Sequence, residues 1–233
     1  MKPSKTLAIT ALAVAATIGS ALPASAHTAS APISKAKARS IAKAINLRAS
    51  DFPGYRATPY HETASDKAED AKFEKCVGAA PDFVSVTSPE FDNQSGYGFS
   101  SSASFVASVQ TVKQDLRRST NARAQKCIKQ ELAAAAAQAG ASNPKVTLTR
   151  VSESSVPGLD AIFGFKFSMA FTVVGQTEHL YGYELDFGRG NAEVSLTEIG
   201  TANVAKSVCT SPLATLISRA KQQVPASGLR LAR

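Results

Sequence analysis

The chain has 233 residues, with 26 Lys and Arg against 18 Asp and Glu, a formal net charge of +8, 3 His, 3 Cys and no Trp. That length supports a hydrophobic core that stands without a metal, and so few histidines, with no Cys-x-x-Cys spacing, argue against a metal or redox centre. Apolar residues at 44% and charged residues at 19% rule out a largely disordered chain.

Lys2 and Lys5 precede an uncharged run from Leu7 to Leu22, and Ala24-Ser25-Ala26 then supplies the small residues a signal peptidase accepts. Residues 1–26 therefore read as a secretory signal peptide cut before His27. A retained membrane anchor is opposed by Gly19, Ser20 and Pro23 and by a run shorter than about 20 apolar residues. The first cysteine is Cys76, so none adjoins the cleavage site. The product is expected to be secreted or otherwise extracytoplasmic and not lipid-anchored. Cleavage leaves 207 residues at +6, a charge that allows at most loose electrostatic association with membrane or wall anions. Export and the dispersal of the basic residues speak against nucleic acid.

Residues 27–33 form a short leader. Ala38, Ile41, Ala42 and Ile45 recur at helical spacing and predict a helix over 35–45. Asp51-Phe52-Pro53-Gly54-Tyr55 is turn chemistry, with Gly54 free to take a positive φ. A second helix over 66–77 turns Phe73, Cys76 and Val77 inward. Residues 83–86 read as a short strand, followed by Ser88-Pro89 and a polar loop through Gly98, and residues 99–109 as a strand with serines at its start. Thr111-x-x-Gln114 has the form of a capping box. It opens a long helix ending near Gly140, with Val112, Leu116, Ala124, Ile128 and Leu132 on one stripe and a possible break at Ser119-Thr120-Asn121.

After Asn143-Pro144 the pattern is β. Residues 145–152 alternate, and residues 161–173 carry Phe163, Phe165, Phe167, Met169, Phe171 and Val173 at every odd position. Gly175-Gln176 suits a hairpin with Gly first, leading to His179, Tyr181, Tyr183, Leu185 and Phe187 on one face. Gly188 to Asn191 turns into a last strand through Val194 and Leu196 to about Ile199. Ser211 and Pro212 start a final helix with an apolar stripe of Leu213, Leu216, Ile217, Ala220 and Val224, and residues 225–233 are expected to fray. Strands in meanders with helices on one face indicate an α+β fold, a central antiparallel β-sheet with packed helices, in a single domain over 34–224.

No nucleophile elbow, Walker loop, zincin helix or calcium loop is present. No catalytic residue, metal ligand or cofactor is assigned, and the ligand-binding residues are not identified. His179 is the only histidine inside a core element. It could act as an acid or base with Glu178, or with Asp186 and a serine, but adjacent strand residues point to opposite faces and a strand-end role is the commoner case. Arg189 at a turn could grip an anion or simply be solvated, and Tyr181 and Tyr183 could line a pocket or the core. Asn93-Gln94-Ser95 has the form of a glycosylation acceptor. The long helix and the C-terminal helix are expected to fill one sheet face. A ligand then occupies a gap between sheet and helix, or the other face, where Lys166 and Glu184 alternate with small residues.

The Asp-Phe-Pro-Gly-Tyr turn, a cysteine-bearing helix, Ser-Pro-Glu-Phe leading into a serine-rich strand, and a long helix with a central cysteine resemble the PknH-like extracellular sensor domains and LpqN-type secreted proteins of actinobacteria and their relatives. The resemblance spans most of residues 35–220. It implies a PsbP-like α/β/α sandwich, a disulfide, and a groove that binds a ligand or partner without catalysis. The chain departs from that pattern in having neither kinase domain nor lipidation cysteine, which favours a free binding or accessory protein. Cys76 and Cys127 lie on the inner sides of their helices and are expected to pair, leaving Cys209 as a free thiol or an intermolecular bridge; the rival pairing joins Cys209 to one of the others. The expected function is an exported, non-catalytic domain of the cell envelope that binds a small ligand, a lipid headgroup or an envelope protein. The alternatives are a secreted hydrolase with a scattered site built on His179, or a purely structural envelope protein.

Overall fold

The structure, a computed structural model, describes residues 31–93, 97–138, 140–151, 155–201 and 210–232. The expected signal segment and most of the leader lie outside the described residues. Helix α1 (Lys35–Ile45) forms where predicted: the Ser34 hydroxyl accepts the Lys37 N–H at 3.3 Å, and Ala38, Ile41, Ala42 and Ile45 are buried in one stripe. A short 3₁₀ turn, Ala49–Asp51, leads into Pro53 and Gly54, whose φ of +89° is the left-handed conformation expected there. The turn is riveted to the core. Asp51 receives both terminal nitrogens of Arg219 at 2.8 and 2.7 Å, and Phe52 stacks on Phe91 and Phe99 with ring centroids 4.9 and 5.2 Å apart.

The remaining elements are β1 (Arg56–Thr58), α2 (Ala64–Val77), β2 (Val84–Thr87), β3 (Glu90–Asp92), β4 (Tyr97–Phe105), α3 (Val109–Ser119), α4 (Ala122–Gln138), β5 (Ser142–Val151), β6 (Ala161–Val173), β7 (Gln176–Arg189), β8 (Ala192–Gly200) and α5 (Thr210–Gln223). They build one mixed α+β fold around an antiparallel sheet in the order β1-β3-β4-β8-β7-β6-β5, with β2 also paired to β4. The polar stretch expected to be loop between Ser88 and Gly98 contains β3 and the start of β4. The strand expected over 99–109 stops at Phe105, because Ser108 takes the cap of α3 by accepting the Thr111 N–H at 3.1 Å. Thr111 is thus inside the helix. The long helix breaks where Ser119-Thr120-Asn121 allowed, and Asn121 caps the second half by accepting the Ala124 N–H at 2.9 Å.

The two-residue loop between β6 and β7 decides which side chains share a face. Val173 pairs with Gln176, so odd positions of β6 lie opposite even positions of β7: Phe165 faces Glu184 and Lys166 faces Tyr183. The aromatic stripes of the two strands therefore lie on opposite faces, and each needs its own cover. Phe163 and Phe165 pack under Val112, Leu116 and Ile128 of α3 and α4. Tyr183, Leu185 and Phe187 pack with Val194 and Leu196 under α1 and α5, where Leu216 and Ala220 are fully buried. Helices cover both faces, not one, and the long and C-terminal helices are on different sides. Gly175 is the second loop residue, not the first; Val174 precedes it at φ 49° and is 98% exposed.

The segment after α5 is docked, not frayed. Ile33 pairs in parallel with Leu231, with the Ile33 N–H donated to the Arg230 carbonyl at 2.7 Å and the Ala232 N–H to the Ile33 carbonyl at 2.9 Å. Asn191, at the β7–β8 turn, donates to the Val106 and Leu229 carbonyls and accepts the Leu229 N–H at 2.7 Å. These bonds satisfy a side chain that is only 1% exposed. Leu229 and Leu231 extend the main core.

Candidate functional site

The sheet face under α2, α3 and α4 changes character across its width. Over β6 it is aromatic. Past Glu184 and Asp186 of β7, the paired positions become Thr197, Ser195 and Glu193 of β8 and then Ser100, Ser102 and Ser104 of β4. Strand alternation puts all of these on one side, and they form a floor of hydroxyls and carboxylates. Helix α2 forms the far wall and leans on α4, to which it is joined by the disulfide between Cys76 and Cys127, with Cα atoms 6.0 Å apart. A hydrogen bond from Gln138 to Glu69 joins the other end of the pair. The inward side of α2 is mostly half-buried, with only Val77 closed off from solvent. Glu184, Asp186 and Glu193 of the floor are half-buried.

Its electrostatics are one-sided. Burial pushes the Glu193 carboxyl up to about 8, and Asp115, Asp82 and Asp186 add to the shift by repulsion. Glu193 Oε1 is buried without a hydrogen-bond partner. Glu184 and Asp186 are raised by the same burial; Asp186 is further raised by Glu184 and partly relieved by a hydrogen bond from the Ser195 hydroxyl. Asp82 is pushed up to about 7, by desolvation of its carboxyl first and then by Glu74, Asp115 and Asp70, with Ser104 acting against the rise. Glu131 of α4 rises to about 7 through burial and the nearby Glu184 and Asp70. Among the described residues Asp115 alone of these is answered by a cation, Arg118 at 3.0 Å, and it also accepts the Ala80 N–H at 3.3 Å. Among the described residues, no ion pair reaches Glu184, Asp186 or Glu193.

This arrangement can hold positive charge and hydrogen-bond donors. His179 does not contribute to it. That residue lies exposed on the opposite face of β7, stacked on Tyr181 with centroids 6.2 Å apart, and both Glu178 and Asp186 project to the other side. Arg189 is a staple instead of an anion grip, donating to the Val224 carbonyl at 2.9 Å and the Gly158 carbonyl at 2.6 Å. Tyr183 is core, with the Lys166 ammonium 5.7 Å from its ring centroid. Lys166 and Glu184, expected on one polar face, lie on opposite faces for the register reason given above. Cys209, and Gln94 and Ser95 of the glycosylation-like triplet, lie outside the described residues. The floor itself was visible in the sequence as alternate polar positions in β4, β7 and β8. That helices fold over those positions was not.

No helix among the described residues is long and apolar enough to cross a membrane. No protein-family model matches the chain, and no curated protein matches it. Among solved structures, the extracellular domain of PknH from Mycobacterium tuberculosis is similar at 8% identity and a TM-score of 0.42, over 83% of this chain and 97% of that one.

Proposed function

We propose that this chain is an exported, non-catalytic binding domain of the cell envelope, and that its acidic sheet face takes a cationic ligand, an amine-bearing headgroup or basic peptide. The export half of the reading is supported by the signal-like residues 1–26 and fits the disulfide. The binding half rests on one observation: Glu184, Asp186 and Glu193 stand half-buried among serines and a threonine, and among the described residues no ion pair reaches them. Keeping such groups buried costs stability that a helix-covered apolar face would not, and a positively charged ligand recovers it.

Calorimetry and thermal shift against spermidine, a lysine-rich peptide and an ethanolamine headgroup, with anionic analogues as controls, test the reading. A cationic ligand at 100 times its Kd raises stability by about 2.7 kcal/mol, and Glu193→Gln weakens binding. Because binding needs the ionised carboxylates, affinity rises with pH through about 7 to 8. No shift with any cation, or steady turnover of an ester, peptide or glycoside that survives purification, would overturn it, the second result in favour of a hydrolase.

A further inference from the structure

We propose that the open edge of the sheet at β5 takes up an extended, acidic segment of a partner polypeptide as an added strand. The two ends of the sheet are unlike. At one end the last strand, β1, has three residues; at the other, β5 has ten and, among the described residues, pairs only with β6. A bulge between Ser142 and Lys145, with Pro144 inside it, protects only the first part of that edge. From Lys145 to Val151 the pairing with β6 runs without a break, so the outer N–H and C=O groups of that stretch form a regular ladder open to another chain.

The surroundings state which chain. Helix α4 overhangs the edge and leaves a groove of about 490 Å³ whose walls include Lys126 and Lys129 on the helix and Pro144 and Val146 on the strand. Arg150 lies exposed on the same face as Val146, by alternation. None of these three cations makes an ion pair among the described residues. A strand added along β5 would point every second side chain at them, and carboxylates there meet unpaired charge. A second copy of this chain is the wrong occupant. Two-fold pairing of β5 with itself keeps α4 on the same face in both copies and turns the two lysine stripes toward each other, like charge on like.

The probe is a labelled peptide alternating Glu with Val and Thr, compared with its Lys-for-Glu analogue and with a version carrying central prolines, which keeps the charge but cannot complete a ladder. Fluorescence anisotropy with the purified chain is expected to show binding of the first peptide, loss of about tenfold or more for each analogue and for the K126E/K129E double variant, and slowed hydrogen exchange in β5 amides. The proposal is overturned if the acidic peptide does not bind, if the proline version binds equally well, if protection appears away from β5, or if sedimentation shows the chain closing this edge with its own copy.

Discussion

Glu193 and Asp51 set opposite pH dependences at single residues. Glu193 has an ordinary value of 4.5 and sits at about 8 in the folded chain, so folding takes up a proton between those limits. Its contribution is complete below about pH 4.5 and is lost as pH rises toward 8, with a slope of at most about 1.4 kcal/mol per pH unit. Glu193→Gln should therefore leave the melting temperature at pH 5 nearly unchanged and raise stability at pH 8 by about 2 kcal/mol, read from melts across that range. Asp51 runs the other way. Burial works against its charge, but the Arg219 pair and the Arg48 N–H hold its carboxyl below the usual range. Its contribution is present at neutral pH and disappears in acid. Arg219→Ala, which also frees the Asn46 carbonyl bonded at 2.8 Å, is expected to cost about 3 kcal/mol at pH 7 in urea titration, and less at pH 3.

Among the elements, the β6–β7 hairpin and the docked tail make separate predictions. Val174 is a β-branched residue at φ 49°, beside Gly175 at φ 79°, where Asn-Gly is the favoured pair. Val174→Asn should stabilise by about 1 kcal/mol, seen as a higher melting temperature without any change in fold. Asn191→Ala removes the bonds that hold the tail to the turn and should cost about 2 to 3 kcal/mol while speeding hydrogen exchange at Leu229 and Ala232. These two features also mark the limit of what the sequence disclosed. The boundaries of α1 and β6 were legible because cap, periodicity and turn residues agree within each element. β1 and β3, at three residues each, carry no period to detect. The placement of the aromatic stripes on opposite faces hangs on loop length, since a shift of one residue there would exchange the faces. The tail's docking depends on Asn191, a residue that reads locally as turn chemistry and acts through partners 38 and 85 positions away.

For the molecule as a whole, the disulfide sets how firmly α2 stays in place beside the acidic face. It closes a separation of 51 residues, and in the chain-entropy account such a loop contributes at most about 4 kcal/mol. Cys127→Ala should lower stability by up to that amount and loosen α2 selectively, because that helix rests on α4 and makes little other contact. Hydrogen exchange in α2 against the sheet strands distinguishes this from global weakening. The acidic site was half legible for the same reason: its floor is written in alternating strand residues, whereas the placing of α2 depends on a cysteine pairing that spacing left open. The parallel pairing of Ile33 with Leu231 bears on mechanics. The segment entering the fold and the segment leaving it run side by side in one direction, so tension drawing the two ends apart loads the bonds at Arg230 and Ala232 together, in shear, instead of opening them one after the other. A domain tethered from both sides would therefore yield at that clasp as a single event, and only afterwards pass force to the sheet behind it.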